Sequence, residues 1–332
     1  MIFGAGVKGW TVVDGQQNPT LCAVSVKTAV PAGQRPLVLA VAEHATHPAD
    51  PADAAVPSDL AGPDSSDHAA PLRALMSKMD RRLPLLVTLA RPQYRLQIMA
   101  EPPVPMREMQ ASLRWSMNAA NQAAQEDINL AWFRIPTDAL LHSRAKQVYA
   151  ASVAQARLDA WMAGWRLAGL RPKVVDIRET ALRNIAAALE RPGEGLALLS
   201  ADSGGVGMVF IHQGALYLDR YIEQPLADVQ AADPADRERL HERIAQQVLR
   251  SVDVIARSYP FMPVGRLLVA PSPLALGLLE HLSAQLPLAV QALDLAQVFD
   301  LSRVPALAAS PALQARCLVA LGASLRSVKA VA

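Results

Sequence analysis

The chain has 332 residues, 52% of them hydrophobic and few of them aromatic, and a formal net charge of only +2. This length is enough for two domains or one large bilobal fold, and the near-neutral charge gives no electrostatic basis for binding nucleic acid. The two cysteines, Cys22 and Cys317, have neither metal-ligand nor redox-motif spacing, so we expect no disulfide framework.

Membrane and export signals are not evident in the sequence. The first residues lack the apolar core of a signal peptide. The most apolar C-terminal stretch is interrupted by Pro311, Gln314 and Arg316, so it does not reach the roughly 18 apolar residues of a membrane span. The sequence therefore predicts a soluble, cytoplasmic protein.

The first third of the chain predicts mainly strands. Apolar runs at 9–14, 20–26 and 36–43 favour three of them. Residues 46–71 combine repeated prolines with repeated aspartates, which is typical of an acidic, flexible, solvated loop. His44 and His47 flank this loop with metal-like spacing, but no third ligand is near, so we expect both to be exposed.

A helix over 72–82 and a buried strand over 83–90 follow. The basic residues Lys78, Arg81 and Arg82 would suit the C-terminal end of that helix dipole. A strand over 94–99 then leads through a proline-rich step into a helix that Pro105 opens.

The middle of the chain alternates strands and helices. Strands are predicted at 128–136, 147–153 and 173–178, and helices at 154–169 and 179–189. Glu179 lies at the start of a predicted helix, where an acidic side chain interacts favourably with the helix dipole. This position explains the residue without a catalytic role.

Residues 195–223 predict strand, turn, strand, turn, strand. The first turn holds Ser203, Gly204, Gly205 and Gly207, and two interpretations stay open. Small residues form the tip of any hairpin, and consecutive N–H groups of such a turn can also wrap a phosphate. A long helix over 240–255, a strand, a helix, a strand over 288–295 and a closing helix over 312–326 complete the chain.

The predicted elements repeat one order twice, three strands followed by alternating helices and strands. This repetition favours a duplicated α/β fold with two lobes and a small inserted α/β subdomain. The actin-like ATPase fold has this layout, with nucleotide held between its halves.

Four segments resemble the PilM family of type IV pilus assembly proteins. They are LVTLARPQYRLQIMAEPPVPMREMQASLRW, WRLAGLRPKVVDIRETALRN, ALLSADSGGVGMVFIHQGALYLDRYI and LVALGASLR, which span most of 83–326 in the family's order. The resemblance is greatest to the PilM-like protein of the mannose-sensitive haemagglutinin (MSHA) pilus. It implies a cytoplasmic component, peripheral at the inner membrane, that binds the short cytoplasmic tail of a PilN-like protein.

The resemblance sets the expected domains: a first-lobe core at 1–93, the insert at 94–172, a return to the first lobe at 173–194, and a second lobe at 195–332. A mostly apolar partner tail needs an apolar groove. Met99, Met109 and Leu113 of the insert are the candidates to line it, because methionine adapts to irregular ligands; plain core is the alternative at each position.

The expected phosphate loops depart from the family pattern. The first loop, placed within 1–14, has glycines but no acidic residue beside them, and Asp14 lies at the far end of the strand. In the second, Ser200 and Val206 replace the expected Asp and Thr, and Asp202 takes the glycine position. The adenosine-side glycines fall on 270–273, Ala-Pro-Ser-Pro.

Without these carboxylates a Mg²⁺–phosphate complex is poorly held. We therefore expect a non-enzymatic scaffold with no cofactor and no metal. An ATP-binding, actin-like ATPase of a pilus or type II secretion machine is the alternative, since weak binding through the backbone of Ser203, Gly204 and Gly205 stays open.

Overall fold

The computed structural model describes residues 8–15, 20–45, 69–120, 127–137, 146–202, 204–223, 233–272 and 277–327. The chain divides into two compact units. The first comprises Met1–Thr46, Leu75–Thr88 and Pro172–Ala332, and the second comprises His47–Ala74 and Leu89–Arg171.

The first unit contains a five-stranded sheet built from the N-terminal strands and β8. Its strands are β1 (Gly9–Gly15), β2 (Thr20–Lys27), β3 (Leu37–Ala45), β4 (Leu85–Leu89) and β8 (Val174–Ile177), in the order β3-β2-β1-β4-β8. β2 pairs antiparallel with both β1 and β3. β1 and β4 are buried along nearly their whole length, which explains their continuous apolar runs.

A second five-stranded sheet in the same unit repeats this pattern. Its strands are β9 (Gly195–Asp202), β10 (Gly205–His212), β11 (Ala215–Glu223), β12 (Val264–Val269) and β13 (Ala289–Ala292), in the order β11-β10-β9-β12-β13. β10 pairs antiparallel with β9 and β11, whereas β12 runs parallel to β9 and β13. The matching order of the two sheets confirms the predicted two-lobed, duplicated α/β fold.

Helices α4 (Arg178–Ala188) and α8 (Pro311–Ser324) cross between these two sheets. α4 packs on the second sheet and on α8, and α8 packs on β1 and β2. The crossing is close, because a Cβ on Gly322 would lie 2.3 Å from the carbonyl oxygen of Ala181. Only glycine fits this position without moving the backbone.

Three further helices complete the first unit: α5 (Pro234–Ser258), α6 (Leu278–Gln285) and α7 (Pro305–Ala309). The Asp233 side chain caps α5 by accepting the N–H of Asp236 at 2.9 Å. α5 buries one face, which includes Leu240, Ile244 and Val248, as its helical spacing predicts.

Cys22 and Cys317 form a disulfide between β2 and α8, so the expectation of no disulfide was wrong. Their Cα atoms are 5.7 Å apart although 295 positions separate them in sequence. Sequence spacing reports only local pairs, and this pair is created by the packing of the last helix on the first sheet. Both side chains are buried.

The second unit is a three-stranded antiparallel sheet with two long helices. Its strands are β5 (Arg95–Ala100), β6 (Ile128–Ile135) and β7 (Gln147–Ala154), in the order β5-β7-β6. Helices α2 (Met106–Ala120) and α3 (Gln155–Leu167) pack on it. The longer of the two segments of this unit runs from Leu89 to Arg171, and the other, His47–Ala74, comes from the part of the chain assigned to the first lobe in the sequence analysis.

Helix α1 (Ala69–Ser77) is displaced from its predicted span. It ends before Lys78, so Lys78, Arg81 and Arg82 lie beyond it. The expectation that these basic residues complement the dipole of its last turn was therefore wrong. The carboxylate of Asp80 accepts the N–H of Arg82 at 2.9 Å, which closes a turn here.

Candidate functional site

The turn between β9 and β10 is the candidate phosphate loop, and its amides bind a carboxylate of the same chain. Asp202 is the last residue of β9. Its Oδ1 accepts the N–H groups of Gly204 at 2.9 Å and Gly205 at 3.0 Å. A phosphate would need these same donors. Ser203, the remaining predicted nucleotide contact, lies outside the described residues.

Arg178, the first residue of α4, carries the positive charge that balances Asp202. Its side chain is only 2% exposed, and its Nε lies 3.0 Å from Asp202 Oδ2, an ion-pair distance without hydrogen-bond geometry. Nη2 donates to the carbonyl oxygen of Ser200 at 3.1 Å and to its hydroxyl oxygen at 2.6 Å. Sequence reasoning missed this residue, because its partners are more than 20 positions away.

The neighbouring glycines leave room for this cluster. A Cβ on Gly207 would lie 2.2 Å from Arg178 Nη1, and one on Gly204 would lie 2.9 Å from the Tyr221 hydroxyl oxygen. That hydroxyl donates to Asp202 Oδ1 at 2.6 Å. The Arg178 guanidinium carbon lies 5.7 Å from the centre of the Tyr221 ring, within cation–π range. The small residues thus accommodate an internal ion pair.

The other turn of β10 is held in the same way. Gln213 has a positive φ of 50°, and Gly214 follows it at 72°. Their N–H groups both donate to the carboxylate of Glu190, the second at 2.8 Å. Internal carboxylates therefore satisfy the turn amides at both ends of β10, which is a structural use of such turns.

The duplicated sheet order relates the first lobe to the β9–β10 turn of the second. β9–β10 in the second sheet corresponds to β1–β2 in the first. By this correspondence the position equivalent to the β9–β10 turn follows Asp14, whereas the sequence placed the first loop within 1–14. Residues 16–19 lie outside the described part. Asp14 is buried next to the end of β1 and accepts a hydrogen bond from the Thr88 hydroxyl, whereas Asp202, the last residue of β9, is partly exposed.

A third acidic residue, Asp176, lies near the end of β8. Its carboxylate accepts hydrogen bonds from the Thr180 hydroxyl and, at 2.9 Å, from the Ile177 N–H. Arg326, just beyond α8, pairs with it at 2.7 Å. Burial lowers the pKa of nearby Arg183, and the attraction of Asp176 opposes that shift. Asp176 thus ties α4 to the end of α8.

Other predicted positions carry less chemistry. Ala270 is buried and donates its N–H to the carbonyl oxygen of Leu199 at 2.8 Å, while residue 273 lies outside the described part. Glu179 is buried in the first turn of α4. His44 is half-buried at the end of β3, and His47 is not described. Within the described ranges, no group of three metal-ligating side chains comes together.

The candidate groove residues lie mainly inside the second unit. Met109 is 1% exposed and Leu113 is 0% exposed, both in a cluster with Met117, Ile128 and Val148. Met99 is half-buried against this cluster. The methionine face of α2 is therefore core in this structure, and of the three only Met99 reaches the surface.

Exposed large apolar side chains are concentrated elsewhere on the same unit. Trp115 is 74% exposed on α2, and Met106, Leu167 and Ile98 are also exposed. Among the described residues, Leu249 in the first unit is the remaining large apolar side chain of this kind. Helical periodicity did not mark Trp115, because it lies off the buried face.

Comparisons with known proteins place the fold. The chain is similar to a solved structure described as the PilM-PilN type IV pilus biogenesis complex, with a TM-score of 0.71 and 20% identity over 98% of this chain and 100% of that one. The actin-like ATPase fold class is thereby confirmed. At this identity the likeness establishes the fold and nothing further.

More distant structures also align over most of the chain. The cytoplasmic domain of EpsL, an inner-membrane component of the type II secretion system of Vibrio cholerae, matches at 13% identity over 92% of this chain and 97% of that one, with a TM-score of 0.48. A Bacteroides thetaiotaomicron protein with an actin-like ATPase fold and unknown function matches at 9% identity over 92% and 96%, with a TM-score of 0.47. No family model and no curated protein matches the sequence.

Among the described residues, no helix combines the length and apolar character that crossing a membrane requires.

Proposed function

We propose that this protein is a non-enzymatic scaffold of type IV pilus assembly that binds the cytoplasmic tail of a PilN-like inner-membrane protein. The observation that carries the proposal is the fold match to the PilM-PilN structure, which extends over 98% of this chain and 100% of the matched chain. The four sequence segments in family order support it independently. The placement in an MSHA-type pilus, as the protein MshI, rests on those segments alone, and so does the cytoplasmic, inner-membrane-associated location.

The partner surface follows from where apolar side chains remain exposed. A short apolar tail binds by burying apolar area, and the second unit carries four of the five exposed large apolar residues described. We therefore move the proposed docking surface from Met109 and Leu113 to the exposed face that includes Trp115. Met99 of β5, half-buried against the α2 cluster, stays a candidate.

The test is calorimetric titration of a synthetic tail peptide from the PilN-like protein of the same genome. Trp115→Ala should weaken binding by about 30-fold or more, because an exposed tryptophan that becomes buried at an interface is often a hot spot worth about 2 kcal/mol. Leu249→Ala is the matched control, since it removes exposed apolar surface from the first unit and should leave the affinity unchanged. No binding by the unmodified protein would refute the proposed partner, and equal losses in both variants would refute the proposed surface.

A second candidate, nucleotide binding, is favoured by one observation. Asp14 and Asp202 lie at equivalent ends of the first strand in each sheet, as a pair of carboxylates for a metal–phosphate complex would. Against it, Arg178 and Tyr221 already bind Asp202. We infer that millimolar Mg²⁺–ATP raises the melting temperature by less than about 1 °C, because stabilisation follows RT ln(1 + [L]/Kd). A rise of several degrees that is lost in Asp14→Asn would establish the nucleotide function instead.

A further inference from the structure

Strand β5 is an edge strand of the small sheet. In the order β5-β7-β6, its one neighbour is β7 as far as the described residues go. The pairing from Arg95↔Ser152 to Ala100↔Gln147 is regular, without a bulge. Natural proteins commonly protect such edges with proline, charge or bulges, and within β5 neither proline nor a bulge interrupts the edge.

The direction of the backbone groups follows from one hydrogen bond. The N–H of Glu101 donates to the carbonyl oxygen of Lys146 at 2.8 Å. In an antiparallel pair, hydrogen-bonded and non-hydrogen-bonded positions alternate. The N–H and C=O groups of Leu96, Ile98 and Ala100 therefore point away from β7, towards the open edge.

The side chains of the edge separate into two faces. Leu96, Ile98 and Ala100 share one face, on which Ile98 is 39% exposed. Arg95 and Glu101 lie on the opposite face. Glu101 accepts hydrogen bonds from Arg134, the shortest at 2.7 Å, and a carboxylate can accept from a further donor.

We propose that β5 pairs with β5 of a second copy of this chain, antiparallel, about a two-fold axis at Ile98. In this register Ile98 faces Ile98 of the second copy, and Leu96 faces Ala100. Every outward N–H and C=O of these three residues then finds a partner. Apolar side chains meet on one face, and Arg95 faces Glu101 on the other.

Neighbouring registers do not fit. Moving the axis one residue towards the C-terminus sets Leu96 opposite Pro102, which has no N–H to donate. Moving it one residue towards the N-terminus sets Ala100 opposite Tyr94, whose N–H already donates to the carbonyl oxygen of Arg91. The axis at Ile98 is therefore the register that satisfies the whole edge.

Cysteine cross-linking tests both the contact and its register. The two Cα atoms of a hydrogen-bonded antiparallel pair are about 5.5 Å apart, within disulfide range. Ile98→Cys should therefore form a disulfide-linked dimer on mild oxidation. Leu96→Cys and Ala100→Cys should each stay uncrosslinked alone, since each faces the other position, and should form the mixed dimer when combined.

Sedimentation of the full chain tests the contact without cysteines. The interface is small, so we expect the dimer to form only at protein concentrations on the order of 100 µM. Ile98→Lys should raise the dimer dissociation constant at least about 10-fold, because two like charges would meet on the axis. A monomer at all concentrations, or cross-linking of Ala100→Cys alone as strong as that of Ile98→Cys, would overturn the proposal.

Discussion

The ion pair between Arg178 and Asp202 gives the sharpest test of how the candidate phosphate turn is closed. Arg178→Met removes the guanidinium while keeping an unbranched apolar chain beside Gly207. Removing one partner of a buried ion pair typically costs about 3–5 kcal/mol, mainly because the other charge stays buried without compensation.

The structure places Arg178→Met at the lower end of that range. Asp202 would retain the N–H groups of Gly204 and Gly205 and the hydroxyl of Tyr221. Its side chain is also 12% exposed, so water reaches part of the carboxylate. We expect a loss of about 3 kcal/mol in the free energy of unfolding.

Asp202→Asn should cost more, about 5 kcal/mol. The Arg178 guanidinium is almost fully buried, and it would keep the two oxygens of Ser200 as acceptors but no carboxylate. A neutral amide there also leaves a cation uncompensated. Because both substitutions remove the same pair, the double variant should be less destabilised than the sum, by about 1.5 kcal/mol or more.

Urea unfolding at neutral pH, followed by circular dichroism, measures all three variants. Arg183→Met is a control, since it removes another arginine of α4 that does not touch Asp202. If Arg178→Met stayed within about 1 kcal/mol of the unmodified protein, or if the two single effects simply added, the internal ion pair could not be what holds this turn.

Three further perturbations test the packing of the first unit, and a glycine of the second unit serves as the control for the first of them. Gly322→Ala should destabilise by about 1–3 kcal/mol through overpacking at the α4–α8 crossing, whereas Gly164→Ala, with open space at its Cβ, should stabilise by about 0.5–1 kcal/mol in thermal unfolding. Burial, and secondly the charge of neighbouring His281, lowers the pKa of His241. The folded protein therefore favours the neutral imidazole, so the contribution of His241 to the free energy of unfolding is complete above about pH 6.5 and is lost as the pH falls below that value. His241→Gln should flatten this loss of stability, measured as the urea midpoint between pH 7 and 5. Reducing the disulfide, or replacing both Cys22 and Cys317 with alanine, should lower the free energy of unfolding by about 2–5 kcal/mol. As a control, dithiothreitol should not change the melting temperature of the double alanine variant.

Much of the fold could be predicted from the sequence because its strands are short apolar runs between clear turns. The hairpins of 195–223 and the three N-terminal strands were placed within a few residues for this reason. The repeat of one strand order in both halves then restricted the fold to a duplicated architecture, and the sheets confirm it.

The site was harder to predict because its contacts join distant segments. Helical spacing identified the face of α2 that holds Met109, but spacing cannot tell what covers a face, and here a sheet covers it. The disulfide and the Arg178–Asp202 pair depend likewise on packing between elements. The position of the first loop depends on knowing which turn of one sheet corresponds to which turn of the other.

The closed turn has a consequence for the proposed scaffold. In a cleft held by nucleotide, the ligand joins the helix and the turn only while it is bound. Here Arg178 joins α4 to the β9–β10 turn through a bond internal to the chain, and Arg326 joins Asp176 to the end of α8. These contacts are internal to the chain, so they do not require a ligand. Internal contacts of this kind suit the proposed scaffold, because a surface that is ordered before binding has little ordering cost to oppose the binding.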